Sequence, residues 1–229
     1  MKPRSILLPP LGLLCATGLT AAVFLKDETL SSGNNIGDPP SAGLSRTLTV
    51  STPVTTIADL TITLDIGSAT GDTAWNGDLY VQLTSPNGTL VILIDQAGLS
   101  PTDTVSGYGD AGYNISINDS AIKDVHNYQT VAYTLNGSNQ LTGTWQSDGR
   151  VNPTSSSRTK NLNSIVGEDP NGTWTLLVVD LASGNLAQLN GWGISGSDIA
   201  AVPEPVATAF SSGLALLALA TARRLRGER

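Results

Sequence analysis

Nucleophilic and acid–base chemistry has little to work with in this sequence. Its single imidazole is His126, in Asp124-Val125-His126-Asn127. Serines and aspartates are plentiful, but no Gly-x-Ser-x-Gly elbow is present to present a serine as a nucleophile. His126 is therefore expected as a loop histidine facing water, and the chain as a non-enzyme. Between Thr29 and Pro205 there are 16 acidic residues, so some pair falls at glycosidase spacing by chance and carries little weight. One His and one Cys leave no nitrogen–sulfur zinc cage and no disulfide framework.

Oxygen chemistry is better supplied. Calcium takes six to eight oxygen ligands, typically from Asp, Asn and carbonyl groups held in loops. Asp72, Asp78, Asp110 and Asp119, with Asn118, lie at the ends of the apparent loops. A site would form if the fold brings the Asp78 strand edge beside the Asp119 segment. The competing reading is that Asp78 and Asp119 hold turns by accepting backbone N–H bonds, as Asx residues often do. No EF-hand or tandem Asp-rich repeat favours the metal. Trp145, Trp174 and Trp192 fall in or near strand patterns and are expected in the core. Trp75 sits in a polar stretch and is expected to be exposed; with Tyr108 or Tyr113 it would be the platform for stacking a sugar. The Asn-x-Ser/Thr triplets at Asn87, Asn114, Asn118, Asn136 and Asn171 are read as turn chemistry.

The elements that must position these residues are strands. The 229 residues include 24 Gly and 12 Pro, with 14% charged residues. Gly, Pro, Thr, Ser, Asn and Asp dominate over the good helix formers, which suits strands joined by tight turns. Ile57 to Ile66 alternates apolar with polar residues, and Leu79, Val81 and Leu83 repeat the period of two. Ser85-Pro86-Asn87-Gly88-Thr89 predicts a turn, because Pro sets one corner and Asn-Gly accepts positive φ at the other. Further strands are predicted around Leu48–Val50, Leu90–Ile94, Tyr113–Ile117, Leu141–Trp145, Trp174–Asp180 and Leu189–Ser195. Eight strands without a helical period mean a two-sheet sandwich.

The two ends have a different grammar. Lys2 and Arg4 precede an apolar run from Ile6 to Leu25, which reads as a secretory signal peptide over residues 1–28. Residues 29–45 are rich in Ser, Gly, Asn and Pro and read as a linker without a core. At the other end, Val202-Pro203-Glu204-Pro205 is followed by an apolar span, 206–222, and then by Arg223, Arg224 and Arg226. The order of Pro-Glu-Pro, short span and terminal arginines resembles the PEP-CTERM sorting signal of Gram-negative bacteria, over residues 199–229. That resemblance implies export to the cell envelope or surface, transient membrane anchoring through a single helix, and processing by an exosortase-type protease. Between the ends the net charge is −11, against −7 for the whole chain. So acidic a body argues against nucleic acid as a partner.

Within the body, Asn76-Gly77-Asp78-Leu79 through Ser85-Pro86-Asn87-Gly88-Thr89 resembles a signature of the P domain (P/Homo B domain) of proprotein convertases. Ile117-Asn118-Asp119-Ser120-Ala121 is similar to a segment of its bacterial versions. Asp169-Pro170-Asn171-Gly172-Thr173-Trp174, then Asp180, Gly184, Leu189 and Trp192, resemble its closing blocks. The resemblance covers residues 46–198 and implies an all-β, jelly-roll-like antiparallel sandwich. In convertases this domain accompanies a subtilisin-like catalytic domain, for which residues 1–45 have no room. The expected function is that of an exported, non-catalytic adhesive or structural surface protein, with exopolysaccharide or surface proteins as partners. Two alternatives remain: a calcium-assisted carbohydrate- or protein-binding module, and an accessory domain of a surface protease or hydrolase system.

Overall fold

The computed structural model describes residues 21–31, 34–39 and 41–198. The expected leader up to Thr20 and the sorting segment, with Val202 to Pro205, span 206–222, Arg223, Arg224 and Arg226, lie outside the described residues. Among the described residues no helix is long and apolar enough to cross a membrane.

Ten strands follow in chain order: β1 (Val23–Thr29), β2 (Asn35–Ile36), β3 (Leu44–Val50), β4 (Ile57–Ser68), β5 (Leu79–Thr84), β6 (Leu90–Asp95), β7 (Tyr113–Ile117), β8 (Leu141–Trp145), β9 (Gly172–Asp180) and β10 (Ala187–Asp198). One sheet runs β1-β10-β4-β7-β8, with β2 also on β10; the other runs β3-β9-β5-β6. The architecture is an all-β sandwich. The alternation of the sequence decides which face goes inside. In β4, Ile57, Leu60, Ile62, Leu64 and Ile66 are all buried while Thr63 faces water. In β9, Trp174, Leu176 and Val178 point inward, and the same period carries Asp180 into the interior after them. Burying several apolar side chains on each strand, at about 1.5–3 kcal/mol apiece, outweighs the cost of taking that one carboxylate along. Trp145, Trp174 and Trp192 lie in the core as their strand positions imply.

The β5–β6 turn forms as its residues dictate. Gly88 adopts φ +86°, its N–H donates to Ser85 O at 2.9 Å, and Ser85 N–H donates to Thr89 O at 3.0 Å. Glu168 accepts from the Ser85 and Thr89 hydroxyls and from Asn87 Nδ2, tying this turn to the segment before β9.

Three features differ from the sequence expectations. Residues 23–28, assigned to the signal peptide, are strand β1, paired in antiparallel register with β10 from Val23↔Ser197 to Thr29↔Gly191. Phe24 is buried, and Glu28 accepts from both Arg46 and the Trp192 indole N–H. The segment read as a coreless linker contains β2, where Ile36 is wholly buried, and the start of β3. β2 is too short for a period to show, and β1 continues an apolar run whose composition masks its alternation. Nor is the sandwich wholly antiparallel, since β7 and β8 pair in parallel from Tyr113↔Leu141 to Ile117↔Trp145. Parallel neighbours need a long crossover, and residues 118–140, with a 3₁₀ turn at Val125–Thr130, provide it.

Candidate functional site

Two groups of buried charge and one polar groove are the places where this fold could do chemistry. The first group begins with Asp124, whose carboxylate accepts from the His126 N–H at 3.0 Å and so starts the 3₁₀ turn that holds the histidine. After β8, the chain runs along the free edge of β6: Asp148 N–H donates to Leu93 O, and Gly149 N–H to Ile92 O. That docking brings Asp148 against His126. His126 Nδ1 lies 2.7 Å from Asp148 Oδ2, and Nε2 lies 2.9 Å from Leu99 O. Both partners are acceptors, so the ring donates from both nitrogens and is an imidazolium. Burial pushes its pKa down, but the Asp148 carboxylate and the Leu99 carbonyl outweigh burial and leave it raised.

Arg150 completes this network. Its Nη1 donates to Asp148 Oδ1 at 3.0 Å and its Nη2 to Asp124 Oδ2 at 2.7 Å. Burial acts to raise the pKa of Asp124, and Arg150 overcomes it, so the net direction is down. Two cations thus alternate with two carboxylates in a buried chain, next to Asp95, whose pKa is pushed up to about 6 by burial and by Asp148. The expectation of a water-facing His126 is corrected: the residue is 2% exposed, and neither nitrogen is free to take a substrate proton. A lone histidine in a polar stretch carries no periodicity that would reveal burial. The network was not legible, because Asp148 and Arg150 reach His126 only through the tertiary docking of their loop.

The second group sits where β5 begins and β9 ends. Leu79 pairs with Asp180, and Leu181 N–H donates to Asp78 O at 2.9 Å, which sets Asp78, the last residue of a 3₁₀ turn at Asn76–Asp78, beside the end of β9. Asp180 Oδ1 accepts from Ala182 N–H at 3.2 Å, and Asp38 Oδ2 accepts from Gly184 N–H at 2.7 Å, so both carboxylates grip the β9–β10 loop. Asp78 and Asp180 are buried, and burial is the first cause of a raised pKa at each, pushing Asp180 up to about 7. Sequence reasoning placed Asp78 among the metal candidates but named neither Asp38 nor Asp180. Their shared environment depends on the β5–β9 pairing, which no local pattern encodes.

The remaining candidates separate. Asp119 is not beside Asp78 in a common cage. Its Oδ1 accepts from the Ser147 N–H and hydroxyl, and its Oδ2 from Asn163 N–H, so it clamps two loops. Asp110 Oδ2 accepts from the Tyr128 hydroxyl at 2.6 Å and from Gln129 Nε2 at 2.8 Å. Asp72 is exposed and accepts from the Thr73 N–H. Among the described residues, no three His, Cys, Asp or Glu side chains form a ready metal cage. Of the expected stacking platform, Trp75 and Tyr108 keep some exposed surface and Tyr113 does not. Tyr113 is completely buried, with its hydroxyl on Asn76 O, because β7 turns it to the core. Trp75 is half-buried with its indole N–H on Ser106 O, and its ring lies so close over Gly109 that a Cβ there would collide with it. Tyr108 is half-buried against Gly98 and stands edge-on to Tyr128.

The groove crosses the outer face of the larger sheet and has a volume of about 610 Å³. Register aligns Asp27, Gly193, Thr63, Ser116 and Thr144 in one row over five strands. The next row is Thr29, Gly191, Asp65, Asn114 and Thr142. Every side chain is short and polar or is absent altogether. A Cβ at Gly193 would meet the Asp27 and Thr63 side chains, so glycine is what keeps this floor low. The groove offers hydroxyl, amide and carboxylate groups for hydrogen bonding, while the Trp192 that borders it is buried with its indole N–H on Glu28 and presents no open face for stacking.

No curated protein matches this sequence. Among solved structures, the serine protease of Aeromonas sobria in complex with its chaperone aligns with 79% of this chain and 28% of its own, at 17% identity and a TM-score of 0.44. The same organism's serine protease in a second structure aligns with 79% of this chain and 27% of its own, at 16% identity and a TM-score of 0.43. This chain thus spans under a third of the length of those proteases. The profile of the proprotein convertase P-domain family matches residues 68–195, from the end of β4 into β10. That is more than half of the sequence, and the chain belongs to the proprotein convertase P-domain family.

Proposed function

We propose that this chain is an exported, non-catalytic P-domain module that associates with hydroxyl-rich polymer, exopolysaccharide in particular, through the outer face of its larger sheet. The observation that carries this reading is the double row of short polar side chains across five strands, floored by Gly191 and Gly193. Such a floor matches a polymer whose recognition depends on many hydrogen bonds rather than on one enclosed pocket. The engagement of both His126 nitrogens supports a role without acid–base catalysis. The Pro203-Glu204-Pro205 segment and the arginines Arg223, Arg224 and Arg226 support delivery to the cell envelope or surface by an exosortase-type protease, with the 206–222 span holding the membrane in the interim.

The test is co-sedimentation of the full chain with exopolysaccharide, comparing wild type with Thr63→Arg and Ser116→Arg. Both positions face outward, so the arginines should fill the groove and leave the fold intact. Binding should fall at least tenfold, which corresponds to about 1.4 kcal/mol. Unchanged binding would reject the groove as the contact surface. Mass spectrometry of protein recovered from cells tests the delivery: a product that ends near Pro205 is expected.

Membership in the P-domain family favours a second reading, as an accessory domain in a protease system. It expects a subtilisin-type partner to fold or survive better when the chain is co-expressed. A groove variant that loses polymer binding but retains this effect would select the second reading.

A further inference from the structure

The interior end of β9 holds a carboxyl group that the described protein leaves only partly satisfied. Asp180 is 1% exposed, and one of its oxygens, Oδ2, is buried with no hydrogen-bond partner among the described residues. Asp38 Oδ1 is in the same condition. These are the two buried side-chain polar atoms left unpaired among the described residues, and they belong to carboxylates that hold the same loop two residues apart, at Ala182 and Gly184. A buried carboxylate oxygen without a donor costs several times an ordinary unmade hydrogen bond, so a fold that keeps two of them needs a proton or a cation there. Asp78 is buried in the turn that leads into the adjoining strand, β5. The turn bearing Asp72 is tied to the far end of the same loop through Ala69 N–H and Leu186 O. Burial is the first cause of the raised Asp180 pKa, and the Asp78, Asp38 and Asp72 charges act in the same direction.

We propose that Asp38 and Asp180 hold one hard divalent cation of the calcium type between them, with Asp38 Oδ1 and Asp180 Oδ2 as its first ligands. The donor set is oxygen only, which selects against zinc and copper. Two carboxylates fall short of the six to eight ligands that calcium takes, so main-chain carbonyls and water complete the sphere. The half-buried Asp38 and exposed Asp72 mark the route from solvent. This proposal is independent of polymer binding at the outer face, and its test reads the metal alone.

The experiment is calorimetric titration of CaCl₂ into the metal-free full chain in detergent at pH 8, with melting curves in parallel. One calcium per chain is expected. At about 10 mM CaCl₂, roughly ten- to hundredfold above the affinity of many extracellular sites, Tm should rise by about 3–10 °C. Asp180→Asn and Asp38→Asn should each abolish the heat of binding, whereas Asp119→Asn should retain it. Asp180→Asn should also melt higher than wild type when metal is absent, which a merely structural aspartate would not do. Magnesium or sodium at equal ionic strength should shift Tm by less than half as much. Absence of binding to wild type, an equal response to every salt, or unaltered binding by both Asp180→Asn and Asp38→Asn would overturn the site. If either variant fails to fold, equilibrium dialysis of wild type decides by stoichiometry: one calcium supports the site and none or many refutes it.

Discussion

The His126–Asp148 region and the Asp38–Asp180 region bury carboxylates to the same depth but treat them in opposite ways. Around Asp148, which is wholly buried, every oxygen has a donor: the His126 ring and Asp95 N–H on one side, the Arg150 guanidinium and main-chain N–H on the other. Around Asp180 the donors are backbone N–H groups of a single loop, and one oxygen has none. The first region is a closed account of two cations and two anions, and it welds the crossover, the edge of β6 and the loop after β8. The second is a set of like charges held together by the apolar strands on which they ride. Burial of charge is therefore no single phenomenon in this protein. Where counter-charges are built in, the carboxylate is structural; where they are missing, it is open to a ligand.

The largest effect that would break this contrast is expected at Asp148. Asp148→Ala strands a buried imidazolium and guanidinium and should cost about 3–5 kcal/mol in urea unfolding at pH 7. A cost under about 1 kcal/mol would mean that the network is not the weld described. Asp180→Asn should act in the opposite direction, stabilising the metal-free protein at pH 8 by about 1–2 kcal/mol, because it removes the need to keep an ionised carboxylate in the interior. Destabilisation by this change would place Asp180 in the same class as Asp148.

A pH series sharpens the same distinction. Asp180 holds its proton up to about 7 in the fold and Asp95 up to about 6, while the unfolded chain releases both near the ordinary carboxylate value. The native state therefore binds more protons than the unfolded state between those limits, and metal-free stability should fall as pH rises from about 4 to 7. His126, with its raised pKa, contributes in the same direction, its stabilisation fading as pH climbs through its folded value. Asp124, with its lowered pKa, opposes them only at the acid end, where stability drops as it protonates. Calcium should flatten the upper limb of the thermal-melt profile, and a profile unaltered by calcium would argue against the cation site. A smaller effect is expected at the half-exposed pair between the sheets. Glu28→Gln weakens the Arg46 and Trp192 contacts and should cost about 1 kcal/mol by denaturant titration. No loss there would mean that β1 is held by its backbone pairing with β10 and by buried Phe24, without help from the ion pair.

Most of the sandwich was legible because its strands are long enough to show a period of two. Ile57–Ile66, Leu79–Leu83 and Tyr113–Ile117 fall inside β4, β5 and β7. The turn Ser85–Thr89 was legible because Pro86 fixes φ at one corner and Gly88 accepts, at the other, a positive φ that residues with a Cβ resist. β1 and β2 were hidden by the composition around them: Phe24 sits in a run greasy enough for a leader, and Ile36 is a lone apolar residue among Ser, Gly and Pro. The chemistry was less legible than the fold. Asp78 stood out as a candidate, but Asp119 and Asp110 are taken up by donors from loops far along the chain, which no local pattern shows, and Tyr113 is a core residue in a strand whose inward face was visible in its own alternation.

Taken alone, the order of residues determined that this chain is built of strands, which side chains of each strand turn inward, and that an imidazole-poor, acidic body stands between two apolar ends. Those properties are local, since periodicity, turn chemistry and composition act over a few residues. Only the tertiary structure decided that β1 closes the larger sheet, that His126 is buried between Asp148 and Leu99, and that Asp38 and Asp180 face one loop with an oxygen to spare. Each of these depends on segments far apart in the chain being brought within hydrogen-bonding distance, and pairing over such separations is set by the packing of the whole sandwich.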